Sequence, residues 1–171
     1  VVLSAGSDLG VIVGWRHNQS TPSFASDNIN SSYVDSATAE SAGAGLTQVV
    51  GSGSTSTITK VDATSYAEAY ADNEYVSYSF TTKADLSRGT AIDRFSLYAP
   101  VAVSTTILIS TDPSFASGAE IKATTALGAA SGVQTYSLLA PYFLDASTAY
   151  YVRVYLNSQS GSINWDDFSL L

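Results

Sequence analysis

Cysteine and methionine are both absent from this 171-residue chain. Without cysteine there can be no disulfide, no thiolate metal centre and no cysteine nucleophile. Histidine occurs once, at His17, so any triad chemistry would have to draw its base from that residue. Lysine is nearly absent too: Lys60, Lys83 and Lys122 lie far apart and form no basic stripe. Charged residues make up 13% of the chain, about half the ~25% usual in soluble domains, and Ser, Thr, Asn and Gln carry the polarity instead. Fifteen acids against seven bases leave a formal charge of −8, which repels phosphate backbones, so nucleic acid is not an expected partner. No apolar run approaches the ~18 residues of a membrane span, and no membrane insertion is expected. A chain of this length suits one domain, residues 1–171, able to bury roughly 70% of its unfolded surface without a staple.

Strand patterns fill the remainder. Glu74–Thr82 alternates Val76, Tyr78 and Phe80 against Tyr75, Ser77 and Ser79, and Ala149–Leu156 alternates Tyr150, Val152 and Val154 against Tyr151, Arg153 and Tyr155. Similar runs at Leu9–Gly14, Leu46–Val50, Thr57–Val61, Ile92–Tyr98, Val103–Ser110, Val133–Leu139 and the terminal stretch after Gly161 bring the count to about nine. In that last run Ile163 and Trp165 fall out of phase with Phe168 and Leu170 across Asp166-Asp167, which predicts a β-bulge at the two acids. Good helix formers gather only at Ala63–Ala71, either a short helical turn or an alanine-rich strand. Asp112-Pro-Ser-Phe115 reads as a turn. Many strands, little helix and Ser/Gly/Pro connectors predict an all-β fold: an antiparallel two-sheet β-sandwich.

The order Gly14-Trp15, Glu74-Tyr-Val-Ser-Tyr-Ser-Phe80, Arg94-Phe-Ser-Leu97, Ile107-Leu-Ile-Ser-Thr-Asp-Pro-Ser-Phe115 and Ile163-Asn-Trp-Asp-Asp-Phe-Ser-Leu170 resembles the jelly-roll domains of bacterial exported proteins. Those domains are similar to non-catalytic carbohydrate-binding modules of the galactose-binding-like type. The resemblance is one of strand texture over most of the chain and implies a jelly-roll sandwich that binds glycan. In such modules the closing strand carries the pattern apolar-Asp-Asn-apolar-x-Leu. Asp166 stands at the matching position, and Asp167 replaces the Asn. Some of them hold a structural calcium ion there, which by resemblance makes Asp166 and Asp167 candidate metal ligands, with an N-terminal acid such as Asp8 and backbone carbonyls. Calcium takes six to eight oxygens, so a second reading stays open: one acid faces solvent and the other accepts backbone hydrogen bonds at the bulge.

Eleven tyrosines and two tryptophans are the strongest positive signal for binding, because sugar rings pack their C–H faces on aromatic rings and their hydroxyls on amides and carboxylates. Trp15 beside His17, Asn18 and Gln19 is a candidate stacking platform, or else a core residue. Tyr66 and Tyr70, at a four-residue spacing, could form a second patch with Asp72 and Asn73. The other tyrosines read as sheet residues with the hydroxyl at the rim. No G-x-S-x-G elbow is present and no carboxylate pair stands out by spacing, so the chain is not expected to be an enzyme. The absence of methionine and the Ser/Thr/Gly/Ala-rich composition predict an exported product, secreted or displayed at the cell surface and engaged in glycan binding or adhesion. The alternative is a self-assembling subunit of an extracellular filament, surface layer or virion surface, its partners other copies of itself, with Val1-Val-Leu3 as a donated strand.

Overall fold

The computed structural model describes residues 10–15, 26, 28–50, 56–117, 119–127, 132–157 and 161–171. Among these residues thirteen strands and one helix follow in chain order: β1 (Val13–Trp15), β2 (Asn28–Ile29), β3 (Val34–Ala37), β4 (Ser41–Ala42), β5 (Thr47–Val50), β6 (Ser56–Val61), α1 (Tyr66–Asp72), β7 (Tyr75–Thr82), β8 (Ala91–Tyr98), β9 (Val103–Ser110), β10 (Ala119–Leu127), β11 (Gln134–Phe143), β12 (Ala149–Asn157) and β13 (Gly161–Leu170). The expectation of about nine strands is therefore too low by β2, β3, β4 and β10. One sheet runs β11-β8-β13-β1-β2, with β5 and β6 joined to it through β13; the other runs β10-β9-β12-β7-β3, with β4 also on β7. All the pairings are antiparallel. Consecutive strands β7, β8 and β9, and again β11, β12 and β13, alternate between the two layers, the crossing pattern of a jelly-roll sandwich.

The core lies between the layers and is supplied by the alternation. Val76, Tyr78, Phe80 and Thr82 of β7 point inward, as do Tyr150, Val152, Val154 and Leu156 of β12, and all are buried. They meet Phe95, Phe168 and Trp165 from the facing sheet; Tyr78 stacks on Phe168 at 4.3 Å between ring centroids. The bulge at the acid pair is present: Asp166 opposes Tyr98 and Ser169 opposes Ser96, so β13 spends one residue more than β8, and Asp167 takes a φ of 53°.

Helix α1 sits outside this core, against the outer face of the six-stranded sheet. Ser65 caps its N-terminus by accepting from the Glu68 amide, while the Glu68 carboxylate accepts from the amide and hydroxyl of Thr64. Asn73 ends it in the left-handed conformation, and the next amide, Glu74 N–H, returns to Ala69 O at 2.8 Å. The loop Gly43-Ala44-Gly45 passes directly beneath this end. A Cβ on Gly45 would lie 2.1 Å from the Asp72 carbonyl oxygen, and one on Gly43 would lie 2.3 Å from that of Asn73. Glycine is required there by closeness of backbones, which is how the sequence lets the helix dock so near β7.

An outer tyrosine and arginine face as the candidate functional site

Outward-facing residues of β12 form the floor of the site. Tyr151, Arg153 and Tyr155 share one face, and each has a register partner on β7: Ser79, Ser77 and Tyr75 respectively. Tyr155 is buried because α1 covers it; the Tyr66 and Tyr70 rings both lie 5.4 Å from its own, the first edge-on and the second stacked at 30°. Tyr75 meets the same ring at 5.3 Å. Burial raises the Tyr155 phenol above its ordinary pKa. Tyr66 and Tyr70 are 6.0 Å apart, so the four-residue spacing does place them in one cluster. Tyr70 is half exposed, at 50%, yet its ring is fixed from below. Asp72 and Asn73 lie exposed at the helix end beside it.

The second wall is the turn after β9. Asp112 accepts from the amide of Ser114 at 2.9 Å and from its hydroxyl at 2.6 Å, and these bonds hold its carboxyl below the usual range. Phe115 follows with a φ of 59°, a costly conformation for an aromatic residue, and this puts its ring over the guanidinium of Arg153 at 4.1 Å. The Tyr75 ring covers Arg153 from another side at 4.4 Å. Arg153 donates to Pro113 O at 3.4 Å and to the Tyr155 hydroxyl at 3.5 Å, both near the limit of a hydrogen bond. Along the rim, the Ser79 and Thr38 hydroxyls share a hydrogen bond of 2.7 Å in the open.

The other sequence candidates fall elsewhere. Trp15 is fully buried: its ring lies 4.7 Å from Tyr78 and its Nε1 donates to Thr38 O at 2.6 Å. A ring with no exposed face cannot stack a ligand, so Trp15 belongs to the core and not to a platform. His17, Asn18, Asp8 and the Val1–Leu3 segment lie outside the described residues. Asp166 is buried, and its Oδ1 accepts from the Asp167 amide at 2.7 Å, the bond expected of an acid at a bulge. Among the described residues no group of three or more acids, histidines or cysteines is placed to hold a metal ion. A calcium ion completed from elsewhere in the chain would make the melting temperature fall on addition of a chelator; a constant melting temperature rejects it.

Sequence reasoning left Tyr75, Tyr151, Arg153, Tyr155 and Phe115 out of the site. The period-two run Tyr151-x-Arg153-x-Tyr155 on one strand face was the signal for the floor. Two carboxyls have strongly raised pKa values, but neither belongs to a cleft. Burial pushes Glu40 up to about 8 inside the core, where it accepts from the Tyr78 hydroxyl and from Gln48. Burial also pushes Glu74 up to about 7, and its Oε2 accepts from the amides of Asp62 and Ala63, tying the approach to α1 down onto β7. Each is under 4% exposed, which denies both to a substrate. A cavity of about 280 Å³ opens between Gly10, Tyr33, Asp93 and Arg94, with Arg94 already paired to Asp93 at 3.0 Å.

No family model and no curated protein matches this chain. Solved structures do resemble it, and those compared are carbohydrate-binding modules. A mutant of the family 29 module CBM29-2 complexed with mannohexaose aligns at 13% identity over 92% of this chain and 88% of that one, with a TM-score of 0.41. The CBM32 of AlyQ in complex with 4,5-unsaturated mannuronic acid aligns at 12% identity over 77% of this chain and 97% of that one, also at 0.41. CsCBM6-3 from Clostridium stercorarium, in complex with cellobiose, aligns at 21% identity over 84% and 92%, at 0.39. At such scores the choice of ligand and of site follows from this chain's own side chains alone.

Proposed function

We propose that the chain is a non-catalytic glycan-binding module and that sugar rings bind on the outer face of the six-stranded sheet, at Tyr66, Tyr70, Tyr75, Tyr151 and Arg153. The observation that carries this reading is Tyr70: a half-exposed ring held in one orientation by its stack on buried Tyr155. Pre-organised aromatic area of this kind loses little side-chain entropy on binding, and stacking of C–H faces on it is favourable in water. Hydroxyls of Thr38 and Ser79 and the amide of Asn73 stand nearby for the polar half of sugar recognition. Glu40 and Glu74, the two carboxyls with raised pKa values, are sealed away from this face and are denied to glycoside hydrolysis on it. An exported setting belongs to the same proposal and rests on composition.

Self-assembly through an open sheet edge has less support. The long edge strand β11 carries Pro141 and a register shift between Ser137 and Tyr142, both of which discourage a further strand from pairing there.

Native gels cast with a panel of soluble glycans test the reading. At least one glycan is expected to retard the protein, and Tyr70→Ala is expected to weaken that retention by about 5- to 30-fold, the value of one anchoring ring at ~1–2 kcal/mol. The variant loses one stack on Tyr155, about 0.5–1.5 kcal/mol, so it should stay folded and melt only a few degrees below the parent. Retention that survives Tyr70→Ala unchanged would place the ligand elsewhere.

A further inference from the structure

Among the described residues, the cation in this face forms no ion pair. Arg153 is partly buried, and among the described side chains no carboxylate lies within ion-pair distance of it; the pairs formed there are Lys83 with Asp35 and Arg94 with Asp93. In a chain with 15 acids and seven bases, a sheltered arginine left unpaired is conspicuous. The Phe115 and Tyr75 rings offset part of the cost of desolvating the guanidinium, and a carboxylate partner would add to that. The acid next in sequence to its contact at Pro113 is Asp112, whose two carboxylate oxygens are committed to Ser114.

The geometry also limits how a partner can reach it. The Phe115 and Tyr75 rings lie against the guanidinium at 4.1 and 4.4 Å, which leaves its edge as the approach. Two long bonds, at 3.4 and 3.5 Å, engage one donor on each terminal nitrogen. Arg offers five N–H donors in a planar fork, so Nε–H and the remaining Nη–H groups stay open along that edge. A fork approached edge-on matches a carboxylate, which accepts two parallel bonds in the same plane.

Building on the glycan-binding reading, we infer that the site selects sugars bearing a carboxylate, with the acid group of a uronate docked edge-on against Arg153 while the pyranose ring rests on the neighbouring tyrosines. Asp72 lies exposed at the far end of α1 beside Tyr70, and the acid beside the Arg153 end, Asp112, is turned onto Ser114 by its two hydrogen bonds.

Polygalacturonate and its fully methyl-esterified form separate the carboxylate from the rest of the sugar. The wild-type protein is expected to bind the acid at least about tenfold more tightly than the ester, and added salt should weaken the acid form selectively. Arg153→Ala should abolish the difference. Arg153→Lys keeps the charge without the planar fork and should lose most of it. Equal binding of acid and ester, still sensitive to Tyr70→Ala, overturns the carboxylate inference and leaves the glycan face standing. Retention of dextran sulfate as strong as that of polygalacturonate overturns it in favour of bare charge attraction. Failure to bind acid, ester and neutral glucans removes both readings together. The acid and ester comparison uses wild-type protein, so it decides the matter even if Arg153→Ala folds poorly.

Discussion

Replacing Tyr155 by alanine is expected to cost about 3–5 kcal/mol and to lower the melting temperature by roughly 10 °C, with loss of glycan retention in the same variant. One buried ring does the work of a keystone here. Tyr66, Tyr70 and Tyr75 each contact it between 5.3 and 5.4 Å, and the second apolar cluster, with Ala63, Ala69, Leu108 and Phe115, is built around it. Helix α1 has only seven residues, too few to persist unless packing holds it. Removing its seat frees the helix and with it the orientation of Tyr70. Tyr155→Phe keeps the ring and loses only a long hydrogen bond from Arg153, so its cost should stay near or below ~1 kcal/mol and retention should persist. The measurement is a thermal melt paired with the affinity gel. A Tyr155→Ala variant that melts with wild type, or is still retained, would show that the cluster neither holds the helix nor forms the site.

The contrast between Tyr155 and Trp15 shows how far residue patterns reach. Period two on β7 and β12 made the sandwich legible, and the phase slip at Asp166-Asp167 made the bulge legible, because both depend on which way successive side chains point. The four strands that escaped notice lack that signal. β2 and β4 have two residues each and β3 four, held by their neighbours, and β10 reads AEIKATTAL with two register shifts that break its alternation. The helix face at Tyr66 and Tyr70 was visible as a four-residue spacing, but its partner was not, since docking α1 on β12 depends on contacts across some 85 residues of chain that no local pattern encodes. Trp15 was legible only as two alternatives, platform or core: its polar sequence neighbours point to exposure, whereas pairing of β1 between β13 and β2 drives the ring inward.

Stability is expected to fall as pH rises from about 4.5 to 8, by roughly 3–5 kcal/mol for Glu40 alone. Glu40 is 3% exposed and sits beside Tyr78, Trp165 and Asp166, with Trp165 Nε1 donating to the Tyr78 hydroxyl at 2.6 Å and that hydroxyl donating to Glu40 at 2.6 Å. Desolvation outweighs these hydrogen bonds, so the folded carboxyl titrates near 8 while the unfolded one titrates near its ordinary value of 4.5. Between those values the folded chain holds a proton that the unfolded chain has released. Folding then takes up a proton, and each rise in pH favours unfolding; the stabilisation is complete below about pH 4.5 and gone above about pH 8. Glu74, pushed up to about 7, adds a slope of the same sign. Glu68 and Asp112, whose carboxyls are held low by hydrogen bonds, contribute the opposite slope only at more acid pH, below their unfolded values. Glu40→Gln keeps the shape and an uncharged polar head at every pH, so its stability curve should be flatter than wild type across this window and should cross above it by pH 8. Urea melts at pH 5, 6, 7 and 8 on both proteins isolate the difference. Parallel curves would mean that Glu40 is ionised in the folded core, with the buried tyrosine and tryptophan donors outweighing the loss of water.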